Sequence, residues 1–157
     1  MPHIHEKIDF VVVAFIVHSG KVLMVHHKEL KMWLPVSGHI EPDEDPEEAL
    51  FREINEEAGL QPSQVEILES RPELPDGELK TVKFIPAPSY IDRHRINDVH
   101  QHVSLVYFAR SNTHEVKLAE QEHHEIRWFA ENELDDPTFQ LTPAMKLYCR
   151  EALKRIK

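Results

Sequence analysis

Gly38-His39-Ile40-Glu41-Pro42-Asp43-Glu44-Asp45-Pro46-Glu47-Glu48-Ala49-Leu50-Phe51-Arg52-Glu53-Ile54-Asn55-Glu56-Glu57-Ala58-Gly59-Leu60 is the stretch that decides how this chain folds. Asp45 suits a helix N-cap, Pro46 the first helical position, and Glu48 completes a capping box. Gly59 suits the left-handed residue that ends a helix. At 3.6 residues per turn, Leu50, Phe51, Ile54 and Ala58 fall on one side, and Glu53, Glu56 and Glu57 gather on another. One face therefore anchors the helix while the other collects carboxylates. At an effective dielectric near 20, each close carboxylate pair costs on the order of 2–4 kcal/mol. A cation removes that cost, and hard oxygen donors suit Mg²⁺ or Mn²⁺ together with substrate phosphates. Arg52 adds a planar fork able to hold a neighbouring carboxylate in one orientation.

Outward from this helix the pattern is strand-rich. Ile8 to His18 is β-branched, aromatic and nearly continuously apolar, which predicts a buried strand. Ser19-Gly20 is a turn signal, and Lys21 to His27 returns as the second arm of a hairpin. Lys28 to Met32 is a polar loop, and Pro35 keeps Trp33 to Val36 extended. Val65 to Glu69, Lys80 to Ile85, Val99 to Arg110 and Glu125 to Phe129 read as further strands. Ala130 to Leu134 reads as a short helix. Pro143 to Ile156 reads as a helix whose stripe of Met145 or Ala144, Leu147, Tyr148, Leu153 and Ile156 is core. Arg71 to Ser89, with Pro72, Pro75, Pro86 and Pro88, reads as a long loop between strands rather than a linker between domains.

A chain of 157 residues with a formal charge of −10 suits a single domain, residues 1–157, with a core that needs no staples. The lone Cys149 cannot close an internal disulfide, which fits a reducing cytoplasm. His3, His5, Glu6, Lys7 and Asp9 interrupt any leader-like apolar stretch. The longest apolar run, Phe10 to Val17, is 8 residues, against about 20 for a membrane span. The acidic balance disfavours long nucleic acids, but not a small phosphorylated ligand whose charge a divalent cation reverses locally. A homodimer is allowed by these data and not required.

The opening stretch resembles the Nudix box, the signature of the Nudix hydrolases: G-x5-E-x7-R-E-U-x-E-E-x-G-U, with U aliphatic. Gly38, Glu44, Arg52, Glu53, Ile54, Glu56, Glu57, Gly59 and Leu60 fill all nine specified positions. The likeness extends to the lead-in Trp33 to Glu41, where Val36-Ser37 departs from the usual L-P-G-G, and to Glu125-Ile-Arg-Trp-Phe129. The resemblance implies an α/β fold, an α/β/α sandwich around a mixed β-sheet. It also implies hydrolysis, with Mg²⁺ or Mn²⁺, of a nucleoside diphosphate linked to another moiety. Glu56 and Glu57 would be metal ligands, Glu53 a ligand or general base, and the Gly38 carbonyl a further ligand. Arg52 would orient Glu53, and Glu44 would support the loop. An additional base or ligand outside the box would be Glu120 or Glu122. Pro75, 15 residues beyond Leu60, looks like the marker of the ADP-ribose group, and nucleoside triphosphates are the other substrate class.

Two other classes of function compete. One is a Nudix-fold nucleotide-binding or sensor module without turnover; the intact carboxylates argue against it. The other is an RNA 5′-end pyrophosphohydrolase, which the acidic charge disfavours. The isomerase branch is disfavoured because Cys149 lies far from the box. Trp33 could stack on a base or pack on its own core. Arg93-His94-Arg95 could hold phosphates or be a solvated loop. Among the 12 histidines, His100 and His102 share a strand face, and His26-His27 and His123-His124 are adjacent. With no cysteine nearby and no His-Glu-x-x-His spacing, exposed strand histidines are the expectation. Cys149 is expected to be an inert helix thiol.

Overall fold

A computed structural model describes residues 5–72 and 81–157. The strands are β1 (Ile8–His18), β2 (Lys21–His27), β3 (Met32–Leu34), β4 (Val36–His39), β5 (Val65–Ile67), β6 (Tyr90–Arg95), β7 (Gln101–Ser111) and β8 (His123–Ala130). The helices are α1 (Pro46–Ala58) and α2 (Pro143–Arg155). All eight strands join one mixed sheet with the path β3-β2-β1-β7-β5; β4 pairs with β1, β6 with β7, and β8 with β2. Its centre is the parallel pair β1–β7, in register from Ile8↔Gln101 to Val17↔Arg110.

The apolar run of β1 has a simple cause: both faces of the sheet are covered. Val12, Ala14 and Ile16 pack with Leu50, Ile54 and Ala58 of α1. Phe15 and Val17, from alternate positions, pack with Cys149 and Ala152 of α2 and with Ile156, which follows it. β7 divides likewise, with Tyr107 and Ala109 on the α1 side and Val106 and Phe108 on the other. Each buried Val, Ile or Phe contributes roughly 1.5–3 kcal/mol. The result is the expected sandwich, one helix on each face of a mixed sheet.

Local chemistry sets the boundaries. Ser19 and Gly20 both take positive φ, 46° and 73°, as a two-residue turn of the type I′ kind requires. The Asp45 carboxylate accepts from the Glu47 and Glu48 N–H groups, each at 2.9 Å, and Glu48 returns a bond to the Asp45 N–H. Gly59, at φ 68°, closes α1 by donating to the Asn55 carbonyl.

Several expectations require correction. Residues 81–85 form no strand, and Lys80 and Pro75 lie outside the described residues. The neighbour of β7 is instead β6. Pro86 and Pro88 lack the N–H that a ladder needs, and pairing begins only past them, where Ser89 N–H donates to the Val106 carbonyl at 2.8 Å. Arg93-His94-Arg95 therefore lies on a strand, not in a loop. Ala130 to Leu134 holds only the single 3₁₀ turn Glu131–Glu133. On α2, Leu147 is exposed, and the buried line runs through Cys149 and Ala152. Burial pushes the Cys149 thiol up to about 12, which keeps it protonated and inert. No helix among the described residues is long and apolar enough to cross a membrane.

Candidate active site

The face of α1 turned away from Leu50 and Ile54 lies against β4, the strand that ends in Gly38 and His39. There Glu53 and Glu57 are both buried, at 6% exposure, whereas Glu56 points to solvent. Arg52 is the organiser. Its Nε and Nη2 donate to the two oxygens of Glu44 at 2.5 and 2.9 Å. Nη1 donates to Glu53 at 2.6 Å and to Glu56 at 3.2 Å, and Nη2 also donates to the His39 carbonyl at 2.9 Å. That occupies all five guanidinium donors. Glu44 in turn accepts the Glu41 N–H at 3.1 Å, which ties down the loop before the helix.

The electrostatics follow from burial. Burial pushes the Glu53 carboxyl up to about 7, with the Glu57 and Glu56 charges adding and Arg52 opposing. Burial also raises Glu57, against the contacts of His123 and Ser37. The hydrogen bonds Arg52 donates hold Glu44 below its usual range, and the same bonds raise Arg52 further. Two buried carboxylates under this strain favour a nearby cation. Their hard oxygens fit Mg²⁺ or Mn²⁺.

Gly38 is explained by space rather than by turning. A Cβ there would overlap the Glu53 carboxylate. Ser37, the departure from the family's glycine, sits inside β4 opposite Val13. Its backbone N–H donates to Glu57 Oε2 at 3.0 Å. The bond is made by the main chain of an extended strand, without the serine side chain.

His123 was expected to be exposed and is instead 1% exposed, with Nε2 3.1 Å from Glu57 Oε1. Glu57, Glu122 and His123 each bring one donor atom within 4.8 Å of the others, a set that could share a cation with the box. Glu122 rather than Glu120 therefore stands beside Glu57. The loop is fixed by Glu122 and His123 N–H bonds to the Ala119 carbonyl, by Lys28 N–H to the Glu122 carbonyl, and by Lys28 Nζ to the Glu120 carbonyl. His27 lies with its ring 5.6 Å from that of His123; burial, then His123, lowers its pKa. The signal that could have found His123 was its place directly after the two loop glutamates, at the start of a strand.

The structure does not gather every candidate. Trp33 is buried, edge-on to Phe129 and Phe139 at 4.9 and 6.1 Å. Its indole belongs to the core on the α2 side, the second of the two readings open for it, and not to a base-stacking surface. Arg93 and Arg95 are exposed on β6, three strands from β4 by way of β1 and β7.

Comparison with known proteins bears on the family and the fold. The NUDIX domain model matches residues 7–148. A hydrolase of the NUDIX family from Clostridium perfringens is 30% identical, with a TM-score of 0.81 over 95% of this chain and 98% of that one. A MutT NUDIX hydrolase from Burkholderia pseudomallei is 24% identical, with a TM-score of 0.65 over 97% and 100%. A C. elegans Ap4A hydrolase shares the fold at 19% identity, with a TM-score of 0.64 over 91% and 93%. An RNA pyrophosphohydrolase from Pseudomonas putida is 48% identical over 50 residues. That match spans 32% of this chain and 31% of the relative's length. With the domain model covering nearly all of the chain, and the Arg52 fork, Glu53, Glu57 and Gly38 drawn together behind one strand, the chain belongs to the NUDIX family.

Proposed function

We propose that the chain hydrolyses a pyrophosphate bond in a small nucleotide, of the ADP-ribose or nucleoside triphosphate class, with Mg²⁺ or Mn²⁺. The observation that carries this reading is the Arg52 fork: every donor is used, and Glu53 is held between Arg52 and Gly38 with its carboxyl raised to about 7. A base poised near neutrality accepts a proton from water efficiently and can release it afterwards.

In this reading Glu53 takes the proton as the water oxygen attacks phosphorus and the bridging P–O bond breaks. Arg52 fixes the direction of that carboxylate, and Glu44 fixes Arg52. Glu56, Glu57 and the Gly38 carbonyl would hold the cation, with Glu122 the loop residue that adds to them. When bound, the cation neutralises phosphate charge and lowers the pKa of water. His123 and the Ser37 N–H keep the two Glu57 oxygens in place.

The match to an RNA pyrophosphohydrolase favours a second reading, a triphosphorylated RNA end. The charge of −10 stands against it. The deciding experiment presents ADP-ribose, nucleoside triphosphates and 5′-triphosphorylated RNA to the protein with Mg²⁺. Turnover of the mononucleotides that does not respond to added salt supports the first reading. Turnover of RNA alone, falling steeply with salt, replaces it with the second. No cleavage of any of them, followed as loss of the intact nucleotide, leaves a nucleotide-binding module.

A further inference from the structure

We propose a second metal site, for a borderline transition ion such as Zn²⁺, ligated by Asp9, His100 and His102 at the end of the central strand pair. One carboxylate oxygen and one nitrogen from each histidine lie within 4.8 Å of one another. The register makes this unavoidable: Asp9 on β1 sits directly opposite His102 on β7. His100, two residues earlier, falls on the same side. Asp9 and His100 are 1% and 3% exposed and His102 is half-buried, so the three ligands leave a fourth position that water can reach.

Two distances fit an ion shared by these groups. His39 Nε2 and His100 Nε2 each stand 3.3 Å from the same oxygen, Asp9 Oδ2. A charge-assisted N–H···O⁻ bond is shorter, about 2.7–2.9 Å. Donor atoms around a tetrahedral zinc, with bonds of about 2.0–2.1 Å, lie roughly 3.3 Å apart. The tautomer points the same way. His100 Nδ1 is 3.1 Å from the Glu6 carbonyl, an acceptor, so Nδ1 carries the proton. A ligating histidine whose second nitrogen donates to a backbone carbonyl is the usual outer-shell pattern. The other Asp9 oxygen accepts the His5 N–H at 2.7 Å, which orients the carboxylate. His39, ring to ring with His102 at 4.9 Å, holds the ligands from outside. Two imidazoles and one carboxylate suit Zn²⁺ and neighbouring ions far better than Mg²⁺.

This site differs from the box in donor chemistry, so excess Mg²⁺ separates them. Titrating Zn²⁺ calorimetrically into protein held in excess Mg²⁺ should show one ion bound per chain. His100→Gln and His102→Gln should abolish that binding, and His39→Gln should weaken it about 10- to 100-fold. His123→Gln, which alters the other buried cluster, should leave it unchanged. Circular dichroism checks the folding of each variant, and half-buried His102 is the safer substitution. Co²⁺ added to the unaltered chain in excess Mg²⁺ should give the strong visible bands of a tetrahedral ion. No Zn²⁺ uptake above Mg²⁺, uptake that survives His102→Gln but not His123→Gln, or an octahedral Co²⁺ spectrum overturns the proposal.

Discussion

Two clusters of buried ionisable groups flank β4, and they are built in opposite ways. On one side, a single turn of α1 supplies Arg52, Glu53, Glu56 and Glu57, and Arg52 settles their directions. On the other, Asp9, His39, His100 and His102 come from β1, β4 and the start of β7. The first is acidic, organised by a fixed cation of the chain itself, and has one face open through Glu56. The second is mostly buried and nitrogen-rich. The contrast teaches that reactivity here accompanies strain: Glu53 is raised to about 7 by burial and like charges, whereas the strand-end cluster has its carboxylate surrounded by imidazoles.

The sharpest way to break this contrast is to remove one charge from the α1 cluster. Glu57→Gln should lower kcat by at least about a hundredfold, as loss of a main electrostatic group does. Its metal-free melting temperature should hold or rise, because a buried charge is gone. Near-normal steady-state turnover would show that the Glu57 carboxylate serves only to bind Ser37 and His123.

Arg52→Lys comes next. Lysine keeps the charge and the helix propensity, but one ammonium cannot serve Glu44, Glu53, Glu56 and the His39 carbonyl together. Displacing a catalytic group by about 1 Å costs roughly a hundredfold, so kcat should fall by about that much with little change in melting temperature. Equal rates for the two proteins would reduce Arg52 to a surface charge.

Acid–base linkage distinguishes the clusters without mutation. Glu53 is raised in the fold, so the folded chain binds more protons than the unfolded one between pH 4.5 and about 7. Stability from this group is complete below 4.5 and is lost as pH rises through 7. The loss is on the order of 3 kcal/mol, and Glu57 acts in the same direction. Metal-free melting temperatures should fall over that window, and saturating Mg²⁺ should flatten the fall. An unchanged slope with Mg²⁺ would mean that the ion does not reach Glu53.

The smallest effect expected is that of Ser37→Gly. The Glu57 contact uses the backbone, so kcat should stay within about twofold, while glycine in a strand lowers stability by roughly 0.5–1 kcal/mol. A large gain in kcat would show that the serine side chain restrains the site.

Which features were legible follows from this same contrast. Helix α1, its caps and its two faces are written within 23 consecutive residues, and each local rule points the same way. The continuous apolar run of β1 and the Ser19-Gly20 turn were equally plain. Glu122 could not be separated from Glu120, because the choice depends on how Lys28 and Ala119 pin the loop. His100 and His123 read as exposed because burial of a strand histidine depends on its partner strand, which no short window contains. Tyr90 to Arg95 was hidden by its charges, which an edge strand tolerates, and by Pro86 and Pro88 just before it.

The parallel pairing of β1 with β7 also sets how the molecule is made. Ile8 meets Gln101, so the central ladder joins residues 93 positions apart (101 minus 8), and His27 meets His123 across 96 (123 minus 27). Contacts this distant slow folding, because the loop entropy is lost before the ladder is gained. On a growing chain, α1 emerges well before β7 and the Glu122-His123 corner. A nascent chain therefore displays its acidic helix well before it owns a site, and competence is acquired in one late step.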